Sequence, residues 1–153
     1  MAAETIRELI AKDAARTVGL ISRADGYTLD IRTVHPWKTS RFTELELDGA
    51  AVYDPVDVPA PKPRDNIYEH REMLLIVELW TRRPLDDALI GPTLNAMIGD
   101  GYRAMMLDPR RSRRAEWSFY GEVGTIIEKD LLGVQAHWRI PYRHLLGDAT
   151  QPI

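Results

Sequence analysis

Apolar side chains recur at helical spacing near the start of the chain. Ile6, Leu9, Ile10, Ala14, Thr17, Val18 and Ile21 share one stripe, and Thr5 and Glu8 stand at capping-box separation. The spacing predicts an amphipathic helix across TIRELIAKDAARTVGLI. Asp25 and Gly26 mark a turn, and YTLDIRTV after it has the β-branched, alternating character of a strand. AAVYD at 50–54 predicts a short strand. In IYEHREMLLIVELWTR, residues 67–82, Met73, Leu75, Val77 and Leu79 alternate with Leu74, Ile76, Glu78 and Trp80. That segment is apolar on both faces in its middle and belongs at the centre of a sheet. Pro84 ends it. PLDDALIGPTLNAMIGDGYRAMMLDP reads as helical, with Asp86 and Asp87 in its first turn and Pro109 as its stop. Pro92 and the glycines at 91, 99 and 101 predict a kink or break near Gly91. TIIEKDLLGVQAHWRI predicts a hairpin turning near Lys129 to Gly133.

The predicted order is helix, strand, strand, strand, helix, strand, strand. Two helices covering one face of a mostly antiparallel sheet make a two-layer α+β sandwich. No repeat or long linker divides the chain, so a single domain is expected over residues 1–153. One stretch is unusual for so compact a unit. DPVDVPAPKPRD carries Pro55, Pro59, Pro61 and Pro63 and cannot donate a continuous ladder, so an extended loop or arm is expected near 55–65.

Composition adds limits. The chain has 153 residues, is 44% hydrophobic and 28% charged, and can bury enough surface to fold without disulfides or metals. It has no cysteine, which removes thiolate metal sites and cysteine nucleophiles. No apolar run approaches the roughly 20 residues of a membrane helix. Glu4, Arg7 and Glu8 interrupt the N-terminal apolar residues as no signal peptide does, so synthesis inside the cell is expected.

Candidate chemistry is sparse. GVQAHWRIPYRHLLGD, residues 133–148, crowds His137, Arg139, Arg143 and His144 beside Trp138 and Tyr142. Val134, Ala136, Trp138, Ile140 and Tyr142 nevertheless fall on one side of an extended chain, with Gln135, His137, Arg139 and Arg143 on the other. Polar groups so placed stand at about 7 Å intervals on a solvent face and do not converge on one substrate atom. No GxSxG elbow, Walker A sequence, GxGxxG fingerprint or HExxH helix is present, and Glu128 and Lys129 are adjacent rather than spaced as in a nuclease. Glu69 points away from His70 and Glu72 in an extended chain, which works against a metal site. His35, His137 and His144 read as ordinary histidines rather than general bases. No catalytic residue, metal or cofactor is expected.

Net charge is −3, but it is unevenly spread. ELELDGAAVYDPVD, residues 44–57, holds Glu44, Glu46, Asp48, Asp54 and Asp57 with no basic group, whereas RRSRR holds Arg110, Arg111, Arg113 and Arg114. Of the cationic side chains 16 are Arg and 4 Lys, a bias that suits protein interfaces and phosphate contacts. The candidate subunit or partner interface is therefore Arg110, Arg111, Arg113 and Arg114 facing Glu44, Glu46, Asp54 and Asp57 of a neighbour, with His137, Arg139 and Arg143 on the exposed strand face. As surface groups the four arginines are expected to leave folding untouched.

The elements as a set resemble the tail terminator (minor tail) proteins of long-tailed bacteriophages. The resemblance rests on the helix beginning IRELIAKDA, the strand AVYDP, the long strand REMLLIVELWTR, the helix ending LDPRR and the hairpin closing on GVQAHWRIPYRH. It lies in order and spacing over nearly the whole chain, and the proline arm and broken second helix depart from it. The resemblance implies a virion protein without enzymatic activity, made in the host cytoplasm and located at the tail–neck junction. Such proteins commonly assemble as hexameric rings on the tail tube protein, stop its polymerisation and meet the neck or head–tail connector protein. DNA passes through the lumen without sequence-specific binding, and no membrane is involved. Head–tail joining and neck proteins of similar topology are the nearest alternative. A small nucleic-acid-binding protein using the Arg110–Arg114 loop is another, and an enzyme working with carboxylates and arginines a third.

Overall fold

The computed structural model describes residues 2–38, 40–63 and 65–150. The ends of the expected 1–153 domain, Met1 and residues 151–153, together with Thr39 and Arg64 of the proline-rich stretch, lie outside the described residues. The elements run α1 (Ile6–Val18), β1 (Thr33–Pro36), β2 (Gly49–Pro59), β3 (Tyr68–Arg82), α2 (Ile90–Met106), β4 (Phe119–Ile127) and β5 (Leu131–Leu145). The five strands form one sheet in the order β1-β2-β3-β5-β4, parallel only between β1 and β2. Both helices pack on one face, and the fold is a two-layer α+β sandwich.

α1 forms where its stripe predicts. Thr5 accepts from the Glu8 amide at 3.2 Å and the Glu8 carboxylate accepts from the Thr5 amide at 2.7 Å, which closes the capping box. Ile6, Ile10, Ala14 and Val18 enter the core against Ala50, Val52, Met73, Leu75 and Val77 of the sheet. β3 is central, paired without a break to β5 from Tyr68↔Leu145 to Arg82↔Leu131 and to β2 on its other side.

Several expectations need correction. The proline-rich stretch is not simply a loop, because β2 continues through Pro55 to Pro59. A bulge between Tyr53 and Val56 absorbs Pro55, and β1 faces β2 only as far as Val52, so the missing proline N–H groups fall in a bulge or along an open edge. The second helix is not broken: it starts at Ile90, so Gly91 and Pro92 lie in its first turn, where amide donors lack helical partners in any case. The residues expected to begin it instead form a short turn at Asp87–Leu89, capped by Asp86.

YTLDIRTV is a strand only from Thr33 onward. Its alternation still sorts the side chains, since Tyr27, Leu29 and Ile31 are buried. The buried Asp100 carboxylate of α2, however, takes the amides of Thr28 and Leu29, each at 3.0 Å, and the Thr28 hydroxyl at 2.6 Å. Donors committed to a helix side chain cannot join a strand ladder.

The face of the sheet away from the helices carries a smaller apolar cluster. Phe42 and Leu47, from the segment before β2, sit with Ala51, Trp80 and Leu131. Phe42 stacks on Trp80 at 5.9 Å between ring centroids. Two glycines make room: a Cβ at Gly133 would stand 2.7 Å from the Trp80 ring, and one at Gly49 would collide with the Phe42 ring.

Candidate assembly interface

β5 sorts its side chains as its alternation predicts. Trp138, Ile140 and Tyr142 are buried on the helix side, while Arg139 and Arg143 are exposed and Gln135 and His137 half-buried on the other. His137 contacts Gln135 at 3.3 Å, Arg139 lies 3.5 Å from Glu72 and stacks over Phe119, and Arg143 stacks over Tyr68. The three polar groups stay apart and converge on nothing. His144, read as an ordinary histidine, is buried, with Nδ1 2.9 Å from the Leu145 carbonyl.

The arginine run divides. Arg111 is not a surface group: its exposure is 0%. Its guanidinium lies 3.4 Å from Asp13 Oδ2, donates to Thr17 Oγ1 at 3.2 Å and donates to the Met105 carbonyl at the end of α2. A helix leaves its last carbonyls without partners, so one side chain here caps α2 and ties it to α1. Burial pushes the Arg111 pKa below its usual value while Asp13 and Asp108 pull it up. The backbone adapts to deliver it: φ is 46°, 56° and 65° at Arg111, Ser112 and Arg113, in the left-handed region. Such residues cost roughly 1–2 kcal/mol each, offset here by Asp108 accepting from the Ser112 amide at 2.6 Å and by Ser112 donating to Asp13 at 3.1 Å. Arg110 and Arg113 are exposed, Arg114 is half-buried, and none of them makes an ion pair among the described residues. The expectation that folding is indifferent to all four arginines fails at Arg111.

The acidic stretch is largely consumed within the chain. Asp54 pairs with Arg7, and Asp57 accepts from the Tyr142 hydroxyl at 2.8 Å, with Arg71 3.6 Å and Arg7 4.0 Å away. Burial and then Asp57 hold the Tyr142 phenol well above the usual tyrosine range. Glu46 lies 2.8 Å from Lys38 and accepts from the Thr43 amide at 2.9 Å, contacts that hold its carboxyl down at about 2. Glu44 alone of these acids is strongly exposed, 3.1 Å from Arg82. Of the two charged surfaces expected to meet between subunits, Arg111, Glu46, Asp54 and Asp57 are therefore already committed inside one chain.

Sequence reasoning missed a different surface. β4 pairs with β5 on one side and, among the described residues, with no strand on the other. Phe119, Tyr120 and Ile127 are exposed, Ile127 by 54%, and Trp117 just before the strand is exposed as well. Tyr120 leans on Trp138 at 4.9 Å and on Tyr102 of α2 at 5.0 Å. A bulge between Tyr120 and Val123 interrupts the pairing with β5 and contains Glu122. The signal available in the sequence was FYGEVGTII itself, an apolar strand with one charge. At the other end of the sheet β1 also has an open edge.

Among the described residues no group of three or more His, Asp or Glu side chains could hold a metal ion, and no helix is long and apolar enough to cross a membrane. No protein-family model matches the chain, and no curated protein is significantly similar to it in sequence.

Proposed function

We propose that this chain is a structural virion subunit that assembles into a ring, caps the end of a phage tail tube, stops its polymerisation and joins the tail to the neck or head connector. The observation that carries the reading is β4, nine residues long, apolar and exposed, with a row of unpaired backbone donors and acceptors. A protein that works as a monomer blunts such an edge with charge, proline, a bulge or a covering element, and here Glu122 and its bulge interrupt only the first half, leaving Val123 to Ile127 uncharged and continuous. One that works in an assembly leaves it open. The order and spacing of the elements, which resemble tail terminators, supply the particular assembly, and the absence of convergence among His137, Arg139 and Arg143 suits a structural role. Negative-stain imaging of the purified protein, alone and with tail tubes, tests it. Rings with a central hole, seated at tube ends, are expected. A tight twofold dimer in solution and in tails overturns the reading.

A specific feature favours a second reading, a nucleic-acid-binding module. Arg110, Arg113 and Arg114 make no ion pair among the described residues and are followed by exposed Trp117 and Phe119, the mixture of cations and stacking surfaces that single strands bind. DNA affinity falling steeply with added salt and lost in the triple arginine variant supports that reading. Normal rings with salt-insensitive, negligible binding remove it.

A further inference from the structure

We propose that the subunits join by sheet continuation: β4 of one copy adds to the open edge of β1 in the next, and its apolar side chains fill the groove between α1 and β1 of that neighbour. The inference deepens the assembly reading and rests on it. The groove is a cavity of about 390 Å³ lined by Ala11, Ala15, Val34, Pro36, Trp37 and Val52. It opens beside β1 on the helix side of the sheet.

The incoming strand carries the matching surface. β4 pairs Tyr120 with Trp138, Thr125 with Val134 and Ile127 with Leu132, so these three side chains stand on the helix side too. The helix layer is too narrow for the sheet: α1 covers β1 and β2, and α2 covers β5 and β3 and meets β4 at Tyr120. Ile127 is left bare. Sheet continuation places the neighbour's α1 beside it, which completes the two-layer arrangement that buries each apolar face.

Strand direction agrees. Pairing senses run β1 and β2 one way, β3 opposite, β5 as β2, and β4 as β3. Rotation about an axis along the strands therefore sets β4 antiparallel to the next β1, and repeated head-to-tail contacts of this kind close into a ring. Glu122 on β4 makes no ion pair among the described residues, while Lys12 and Arg16, which border the groove, are held by Glu4 and Asp13 of their own chain. The competing twofold joint, β4 against β4, sets two Glu122 carboxylates close together and leaves the groove empty. Like charges paired across strands are destabilising.

The chain has no cysteine, so the joint can be probed cleanly. Ile127 set opposite Val34 places Thr125 opposite Pro36, so Pro36→Cys and Thr125→Cys, both at exposed positions, are prepared separately, mixed at the highest soluble concentration and treated with a short bismaleimide. A covalent dimer is expected from the mixture and from neither variant alone, and Ile127→Asp added to the Thr125→Cys chain should abolish it while the melting transition stays intact. Self-linking of Thr125→Cys indicates the twofold joint and overturns the proposal, as does absence of any cross-link. The two readings fail separately. Rings seen by imaging without the cross-link refute this joint and leave the assembly reading; cross-linked chains that form only open filaments refute the tail cap and leave the joint.

Discussion

The turn at 108–115 and the strand β4 follow one another closely, and each looks opposite to what it is. The turn is rich in arginine and reads as solvated, yet Arg111 is buried among Asp13, Thr17 and the Met105 carbonyl. β4 is rich in Phe, Tyr and Ile and reads as core, yet most of it is exposed. A charge is buried where partners from two helices converge on it, and an apolar strand stays exposed where no layer reaches it. Arg111 finds Asp13, Thr17 and Met105 within the chain, whereas β4 keeps an edge that no strand covers among the described residues.

The first way to sharpen that contrast is a point where strand and core coincide. Val77 pairs with Val52 on one side and Ala136 on the other and is buried. Val77→Asp is expected to remove soluble folding altogether, since an unpaired buried carboxylate costs several kcal/mol against a total stability of about 5–15 kcal/mol. Soluble, cooperatively melting protein would mean that β3 is misplaced.

Arg111→Ala comes next. Removing it leaves Asp13 with only the exposed Arg16 as a cation and strips the Met105 carbonyl of its donor, at a cost of about 3 kcal/mol, the low end for a broken buried pair. Arg111→Lys should recover only part of this, because an ammonium does not reproduce a planar fork that meets Asp13, Thr17 and Met105 together. Denaturant midpoints of the two variants measure it, and wild-type midpoints would return Arg111 to the surface.

Tyr142→Phe is smaller. It strips the hydroxyl from Asp57, whose Oδ1 is already buried without a partner, and is expected to cost about 1–3 kcal/mol by thermal or chemical unfolding. Equal stability would show that water takes over the bond.

Glu46 offers a contrast in pH. Its folded pKa, about 2, lies below the ordinary 4.5, so its contribution is full above that ordinary value and disappears as pH falls through about 2. Acid titration of the Thr43 amide resonance should report this window, and Glu46→Gln should erase it. A midpoint at the ordinary value would remove the Lys38 and Thr43 contacts from solution.

The smallest effect is expected where the turn meets solvent. Replacing Arg110, Arg113 and Arg114 together with serine should leave the melting transition within about 0.5 kcal/mol per site of wild type. A large loss would mean that the whole run, not Arg111 alone, supports the fold.

Periodicity along the chain determined which residues form α1 with its capping box, that β3 is central, and which side of β5 is buried. Each of these is a local statement about neighbours one, two or four residues apart, and such neighbours are visible in a sequence. The same information placed Tyr27, Leu29 and Ile31 indoors while missing that Asp100, some 70 residues away, takes the amides of Thr28 and Leu29 and keeps them out of the sheet. Only the tertiary structure decided that β2 runs on past Pro55, because that depends on how far β1 extends beside it. Only it separated Arg111 from Arg110, Arg113 and Arg114, identical in chemistry and adjacent in sequence, since the choice was made by Asp13 on another helix. The open edges were likewise invisible, because an edge is a property of strand order across the sheet. Order is set by pairing between distant segments, and β4 ends up outermost although β5 follows it in the chain.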